Sequence, residues 1–399
     1  MKITLRSASS GWHALRYSEG RGYLASEPRP SGYLRACHPT RSGFTIVELL
    51  VAMALTIFVM TILSQAFIVS LDTFSGLKAI GDMQSNLRTG AGIIQADLTK
   101  PHFEGLRRLR DPDILTNPPK QGFFAIFQGS AAYEGTDAGF PAPPPIGYPA
   151  VSPDLRSFRA ANHVLYFTVR SQGNRPESFF SAPAGAPLLN GTTTYFNLPP
   201  DGQYQTAGTF TSQWAEVAYF LVNTGSTGTP GIVGSTAGTP LYALYRAEYL
   251  LVPNPILANQ ALSTVSSTTY RHVSCYNKSG PLVFNAPEDV ATPTTPQARM
   301  FTFSGPPPWA KNGEALPTPP APQVPHGAGL VLSNVLSFQV QALTSTAPLA
   351  DFHDFAFPNP SFDSGNNTAQ ANIFAVRIVL RVWDNGTKQA RQITLVQDM

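Results

Sequence analysis

Glu48 is the residue whose type and position point most clearly to a chemical role in this sequence. It lies at the start of an apolar run, residues 49–71, in which 23 consecutive residues carry no formal charge. A charged side chain within a membrane helix costs about 2.5 to 3.5 kcal/mol on insertion scales, and it usually has a partner. We therefore expect the Glu48 carboxylate to have a specific partner.

A second group of polar residues could bind a metal ion. Asp351 and Asp354, with Asp363 a few residues later, could supply the oxygen ligands that calcium prefers. Their spacing does not match an EF-hand loop, and an ordinary solvated turn explains the group equally well. The sequence therefore predicts no metal site, and these three carboxylates are its best candidates for one.

Catalytic motifs are absent from the sequence. The histidines after residue 43 are scattered, and no His-Glu-x-x-His, Cys-x-x-Cys or Gly-x-Ser-x-Gly arrangement occurs. An enzyme would need a convergent set of acids, bases or nucleophiles. We therefore expect neither catalysis nor a bound cofactor.

The charge distribution orients the apolar run in a membrane. Residues 1–43 hold seven basic and two acidic residues, whereas Asp72 is the first charge after the run. Basic residues stay on the cytoplasmic side of a membrane helix, and about 20 apolar residues are enough to cross a bilayer. We expect residues 49–71 to span the bacterial inner membrane, with the amino terminus in the cytoplasm and the remainder exported to the periplasm.

The residues around Glu48 resemble the signature of type IV prepilins. That signature is a glycine, then Phe, Thr, two aliphatic residues and Glu before a long apolar helix, and residues 43–48 read GFTIVE. The resemblance implies that a membrane aspartyl prepilin peptidase cleaves between Gly43 and Phe44 and methylates the new amine of Phe44. It also implies that Thr45 and Glu48 act in filament assembly, where Glu48 pairs with an amine of its own chain or of a neighbouring subunit.

An ordinary signal anchor or a cleavable signal peptide would share part of this pattern. The tripeptide SQA at residues 64–66 could serve as a small-residue cleavage site. Neither alternative explains Glu48 or the residues before it. The leader, residues 1–43, is long for a prepilin, so translation could begin at a later, non-Met codon.

The apolar pattern becomes helical after residue 72. Apolar residues then recur every three or four positions, and Pro101 follows the last of them. These apolar residues are Phe74, Leu77, Ile80, Met83, Leu87, Ala91, Ile94 and Leu98. We expect one helix over residues 44–98, with its first half in the membrane or a filament core and its second half packed on a sheet.

Four glycines interrupt the second half of this helix. Each disfavours a helix by about 1 kcal/mol relative to Ala. They are Gly76, Gly81, Gly90 and Gly92. We expect local bending or melting near them.

Residues 99–399 have the pattern of a β-rich head. Runs of β-branched and aromatic residues alternate with Pro, Gly, Ser and Thr, which predicts strands separated by turns. The main candidates are residues 163–170, 214–222, 241–246, 335–341, 373–383 and 392–396. The sequence DNGT at residues 384–387 predicts a tight turn between the last two. The predicted fold class is therefore α+β, with a long amino-terminal membrane-spanning helix packed on an antiparallel, pilin-like sheet.

Proline and glycine divide this head. The stretches 141–149 and 306–325 are rich in Pro and predict extended surface loops, and residues 224–240 predict a flexible Gly/Thr loop. The expected organisation is a cleaved leader (1–43), a helix (44–98) and a periplasmic or extracellular head (99–399).

A second resemblance concerns the class of pilin. The segments Glu216-Val-Ala-Tyr219 and Leu244-Tyr-Arg246, followed by a Val-rich strand at residues 376–382, are similar to J-type minor pseudopilins and W-type minor pilins. Any amphipathic sheet could produce the same pattern.

Two hypotheses for function follow from these features. The first is a minor pilin or pseudopilin subunit of a type II secretion or type IV pilus-like filament. Its partners would be prepilin peptidase, other pilins or pseudopilins and an inner-membrane assembly platform. The alternative is the same anchored scaffold with an adhesin-like head that captures a surface, a polymer or DNA. After residue 43 the chain is close to neutral, so no basic field favours nucleic acid as a partner.

Overall fold

The computed structural model describes most of the helix and the central parts of the head. The leader before Gly43, the Pro-rich stretch 141–149 and most of the stretch 306–325 lie outside the described residues. Those described are 43–128, 160–183, 209–228, 239–253, 272–277, 282–291, 299, 301–302, 310–311, 324, 327–345, 351–355, 361–365 and 371–399.

The predicted amino-terminal helix is confirmed. Helix α1 (Ile46–Leu98) is continuous over 53 residues. It passes through all four glycines without a break, so the expectation that the helix melts near them is wrong. A helix of this length loses only about 1 kcal/mol at each glycine, which its other residues and its packing offset.

The helix packs on the head along a shorter stripe than the sequence predicts. Its buried residues begin at Met83 and follow one face to Leu98. Phe74 and Leu77 belong to the predicted apolar face, but their side chains are 70% and 65% exposed. The prediction that they pack on the sheet is wrong, because the sheet covers the helix only from Met83 onward.

The described part of the head contains one large sheet and three small ones. The strands are β1 (Phe124–Phe127), β2 (Val164–Arg170), β3 (Phe180–Pro183), β4 (Thr209–Ser212), β5 (Trp214–Gly228), β6 (Thr239–Leu250), β7 (Cys275–Asn277), β8 (Leu282–Phe284), β9 (Phe301–Thr302), β10 (Ala310–Lys311), β11 (Ala328–Thr344), β12 (Ser361–Asp363), β13 (Ile373–Asp384) and β14 (Gln389–Asp398). Short helical elements are α2 (Pro287–Ala291) and the 3-10 helices Pro112–Ile114 and Pro176–Ser178.

The large sheet is antiparallel throughout. Its eight strands follow the order β12, β1, β2, β5, β6, β11, β13, β14, and each neighbouring pair is antiparallel. The small sheets are the antiparallel pairs β3–β4, β7–β8 and β9–β10. The α+β class is therefore confirmed, and all six predicted strands are present.

The sequence underestimates the length of two central strands. Residues 224–240 are predicted to form a flexible loop, yet β5 continues to Gly228 and β6 begins at Thr239. Thr227 and Gly228 pair with Pro240 and Thr239 after a register shift. Cross-strand pairing therefore overrides the weak strand preference of the glycines and of Pro240.

The carboxyl-terminal hairpin forms where it is predicted, but with a different turn. Four residues, 385–388, separate β13 from β14, and the Lys388 N–H donates to the Asp384 carbonyl at 2.9 Å. The residue with left-handed backbone is Lys388, at φ 57°, and Gly386 is not among the positive-φ glycines. This four-residue loop replaces the two-residue turn that Asn-Gly favours.

The centre of the sheet is covered on both faces. Residues 214–222 of β5 are all buried, and β2 is buried from Val164 to Val169. The carboxyl-terminal part of α1 lies on one face, since Tyr219 of β5 bonds to Asp97. Residues 272–277 and 282–291 lie on the other face, where Ser274 contacts Glu216 of β5.

Gly90 allows α1 to approach the sheet closely. A Cβ atom at Gly90 would lie 2.8 Å from Cδ1 of Leu332, a buried residue of β11. Gly92 lies two residues further along the helix, where a Cβ atom would have no neighbour within 4 Å. One glycine is thus required by packing, whereas the other only weakens the helix.

The two glycines should therefore respond differently to alanine. Gly92→Ala should raise the free energy of unfolding by about 1 kcal/mol, because Ala favours the helix and meets no obstacle. Gly90→Ala should instead lower the free energy of unfolding by about 1 to 3 kcal/mol, because the added methyl group overpacks against Leu332. Denaturant unfolding of the purified chain in detergent measures both. Equal stabilisation by the two substitutions would contradict the close approach.

His102 is buried where the chain leaves the helix. Its Nδ1 lies 2.7 Å from the carbonyl oxygen of Thr168, which can only accept, so Nδ1 carries the proton. The rings of Phe103, Phe124 and Phe167 surround the imidazole. Burial lowers the pKa of His102 from 6.5 to about 4, against the opposing effect of the Thr168 carbonyl. The imidazole is therefore neutral in the folded head at neutral pH.

Acid should destabilise the head through His102. Between pH 6.5 and about 4 the unfolded chain binds a proton that the folded chain does not. Stability should be full above pH 6.5 and fall by up to about 3 kcal/mol as the pH approaches 4. Urea unfolding at several pH values should show a flatter pH dependence for His102→Gln than for the original chain. An unchanged slope for His102→Gln would refute this origin.

Candidate functional site

Thr45 and Glu48 form a reciprocal cap at the start of α1. The Thr45 N–H and hydroxyl donate to Oε2 of Glu48 at 2.9 and 3.0 Å. In return, the Glu48 N–H donates to the Thr45 hydroxyl oxygen at 3.3 Å. The helix begins at Ile46, so Thr45 is the N-cap and Glu48 the third helical residue, which is the geometry of a capping box. The chain itself thus supplies donors for this carboxylate.

The helix dipole adds to this arrangement. A carboxylate in the first turn faces the positive end of the helix and the unpaired N–H groups found there. Glu48 is the acidic residue of that turn. Its charge is therefore tolerated at the edge of an apolar segment that would otherwise exclude it.

Gly43 and Phe44 precede the helix without regular secondary structure. The Phe44 side chain is 85% exposed, and a Cβ atom at Gly43 would meet nothing within 4 Å. The described fold therefore does not require a glycine at this position. The peptide bond between these residues is accessible to another molecule.

The apolar side chains that follow Glu48 are also exposed. Within α1, an 18-residue window has none of its residues buried inside the protein. By length and composition alone, this helix could cross a membrane, and it is the one such helix among the residues described. A continuous apolar surface of this size needs lipid or other protein to cover it.

Comparison with known proteins identifies this segment. Residues 39–64 match the prokaryotic N-terminal methylation motif. This motif is the hallmark of type IV prepilins and pseudopilins. The amino-terminal segment of this chain is therefore similar to that of type IV prepilins and pseudopilins.

The other two comparisons find no relative. No curated protein and no solved structure matches the chain. The long apolar helix, which begins within the motif, fits a single-pass membrane anchor.

The three candidate metal ligands of the head each accept hydrogen bonds from different protein groups. Asp363 pairs with both terminal guanidinium nitrogens of Arg299, and Asp354 accepts from Gln128 and Gln339. Asp351 accepts from the N–H of Phe352 at 2.8 Å. In the described part of the head, no group of three or more His, Cys, Asp or Glu residues could hold a metal ion.

The sequence contains two further polar signals, one at Thr45 and Glu48 and the other at Asp97. A Thr followed three residues later by Glu, just before an apolar run, predicts a capping box. Asp97 occupies the same helix face as Ile94 and Leu98, and an acidic residue on an apolar stripe implies a buried partner. Both signals were visible, but only the fold identifies the partner of Asp97.

The cap can be tested through the Thr45 hydroxyl. Thr45→Val removes the hydroxyl and keeps the shape, so the Glu48 amide should exchange with solvent about fivefold faster, equivalent to about 1 kcal/mol. Thr45→Ser keeps the hydroxyl and should exchange like the original chain. Hydrogen exchange of the uncleaved chain in detergent, read by mass spectrometry, makes the comparison. Equal exchange in both variants would show that the hydroxyl does not cap the helix.

Proposed function

We propose that this prepilin-like protein is a minor pilin or pseudopilin, a subunit of a type II secretion or type IV pilus-like filament. The observation that carries the proposal is the position of Glu48, in the first turn of an exposed apolar helix and four residues after the accessible Gly43–Phe44 bond. Such an arrangement suits a segment that is first cleaved and then packed among similar helices. The methylation motif favours a structural subunit over an enzyme.

Processing would change the surroundings of Glu48. Prepilin peptidase would cleave between Gly43 and Phe44 and methylate the new amine. Gly43 has no packing role in the described fold, so its small size is best explained by close approach of the protease to the backbone. The new cation would lie four residues before Glu48, about 6 Å along a helix axis.

This cation would give the Glu48 carboxylate a second partner in addition to Thr45. The carboxylate could pair with the amine of its own chain or with that of a neighbouring subunit. An unpaired charge among packed apolar helices is strongly disfavoured. The pair would therefore fix the register at which the subunit enters a filament.

The exposed part of α1 would supply the packing surface. Side chains before the buried stripe, including Phe74 and Leu77, are available to other helices. Residues 49–71 would first lie in the inner membrane, with the head in the periplasm, because the basic residues precede the span. An inner-membrane assembly platform would then move the subunit into the filament.

The class of minor subunit follows from the second resemblance. Glu216, Tyr219 and Arg246 each make specific buried contacts, so they do more than continue an amphipathic pattern. This supports an assignment near the J-type pseudopilins and W-type minor pilins. In this assignment residues 99–399 form the head, and residues 1–43 form the leader.

Glu48→Gln should separate processing from assembly. The amide still accepts hydrogen bonds, so cleavage should proceed, but the lost charge should lower incorporation about tenfold or more. Asp72→Asn removes a carboxylate at the other end of the same apolar run and should assemble normally. The amount of protein in sheared filaments or in complexes with other pilins measures incorporation.

A different pattern would reject the proposal. If Glu48→Gln and Asp72→Asn were incorporated equally well, the Glu48 carboxylate would have no part in assembly. If the unaltered protein were absent from filaments and pilin complexes, a subunit role would be excluded.

A further inference from the structure

Asp97 is a buried carboxylate at the carboxyl-terminal end of α1. It is 3% exposed and lies on the helix face that packs on the sheet. The last turn of a helix carries a partial negative charge, which disfavours an acidic residue there. Asp97 can therefore persist only with strong partners.

The sheet supplies two of these partners. The Tyr219 hydroxyl and Nε of Arg246 both donate to Oδ2 of Asp97, each at 2.7 Å. Lys100 adds its ammonium group at 3.2 Å from Oδ1. Burial opposes ionisation of Asp97, but the hydrogen bond and charge of Arg246, with Tyr219 and Lys100, outweigh it and hold the pKa below its ordinary value.

This anchor joins the helix to two central strands. Tyr219 of β5 and Arg246 of β6 are direct cross-strand neighbours. Arg246 also contacts Glu248 of its own strand at 2.6 Å, so its guanidinium group is held from both sides. The helix end is thus fixed to the most buried part of the sheet.

A separate anchor lies on the opposite face of β5. Glu216 is three residues before Tyr219, and residues at odd separation in a strand face opposite sides. Its buried carboxylate accepts hydrogen bonds from Tyr166 and Ser274. Asn285 in turn donates to the Ser274 hydroxyl at 2.7 Å. These residues tie the segments 272–277 and 282–291 to the sheet.

We propose that Asp97, Tyr219 and Arg246 form a latch that keeps the last turns of α1 on the head and opens independently of the Glu216 anchor. Removing one member of a buried ion pair leaves an uncompensated charge, whereas the apolar contacts of the helix are confined to one stripe. The latch does not depend on the proposed function.

Native-state hydrogen exchange of the full chain in detergent tests the latch. Arg246→Met leaves the Asp97 charge buried, so the amides of residues 94–98 should exchange about 30-fold faster or more, by local opening. Amides of β13 and of residues 282–291 should change less than about threefold. Glu216→Gln should give the reciprocal pattern, with faster exchange at 282–291 and little change in the helix.

Matched variants separate the latch from general instability. Glu248→Gln removes the other partner of Arg246 and should leave exchange of the helix unchanged. Asp97→Leu combined with Arg246→Met removes both charges and should restore most of the protection lost in Arg246→Met. Tyr219→Phe removes one hydrogen bond, so the same amides should exchange about fivefold faster. This variant provides the test if Arg246→Met does not fold.

Two results would overturn the proposal. One is a uniform rise in exchange through the helix, β13 and residues 282–291 in both Arg246→Met and Tyr219→Phe, which would make these residues contributors to global stability only. The other is unchanged exchange at residues 94–98 in both variants.

Discussion

The rest of the structure depends on how the charge of Glu48 is satisfied at the start of an apolar helix. In the described chain Thr45 satisfies it, through a cap that needs no other molecule. The helix can therefore begin beside an apolar environment without an unpaired carboxylate. In the proposed function, cleavage after Gly43 adds an amine within one turn of the same carboxylate. One side chain would then serve as a helix cap in the precursor and as the partner of a cation in the filament.

Helix α1 has an exposed apolar part and a part that is buried on the head. Its apolar side chains are exposed as far as Leu77, and from Met83 onward one face is buried on the head. Gly90 permits the close approach on that face, and the Asp97 anchor holds the final turn. The exposed part remains available for lipid or other helices, while the buried part fixes the helix to a sheet that is covered on both sides.

Local sequence patterns predicted the elements better than their contacts. The apolar run, the helical spacing that follows it and the alternating β runs specify element types, because each depends on neighbours only a few residues away. Gly90 was misjudged because helix propensity does not reveal that Leu332 lies against it. Tyr219 and Arg246, the partners of Asp97 on the sheet, lie more than a hundred residues away, so its position on an apolar stripe could show only that partners exist. At the amino terminus, the spacing of Thr45 and Glu48 carries the signal of a capping box, but the cap itself was not predicted.

The mass of the mature amino terminus tests the central claim most directly. The protein should be isolated from membranes of a cell with active prepilin peptidase, and its first peptide should be sequenced by tandem mass spectrometry. The account predicts a chain that begins at Phe44 and carries one methyl group on the amine. A chain that begins after Ala66, or one that retains residues before Phe44, would contradict it.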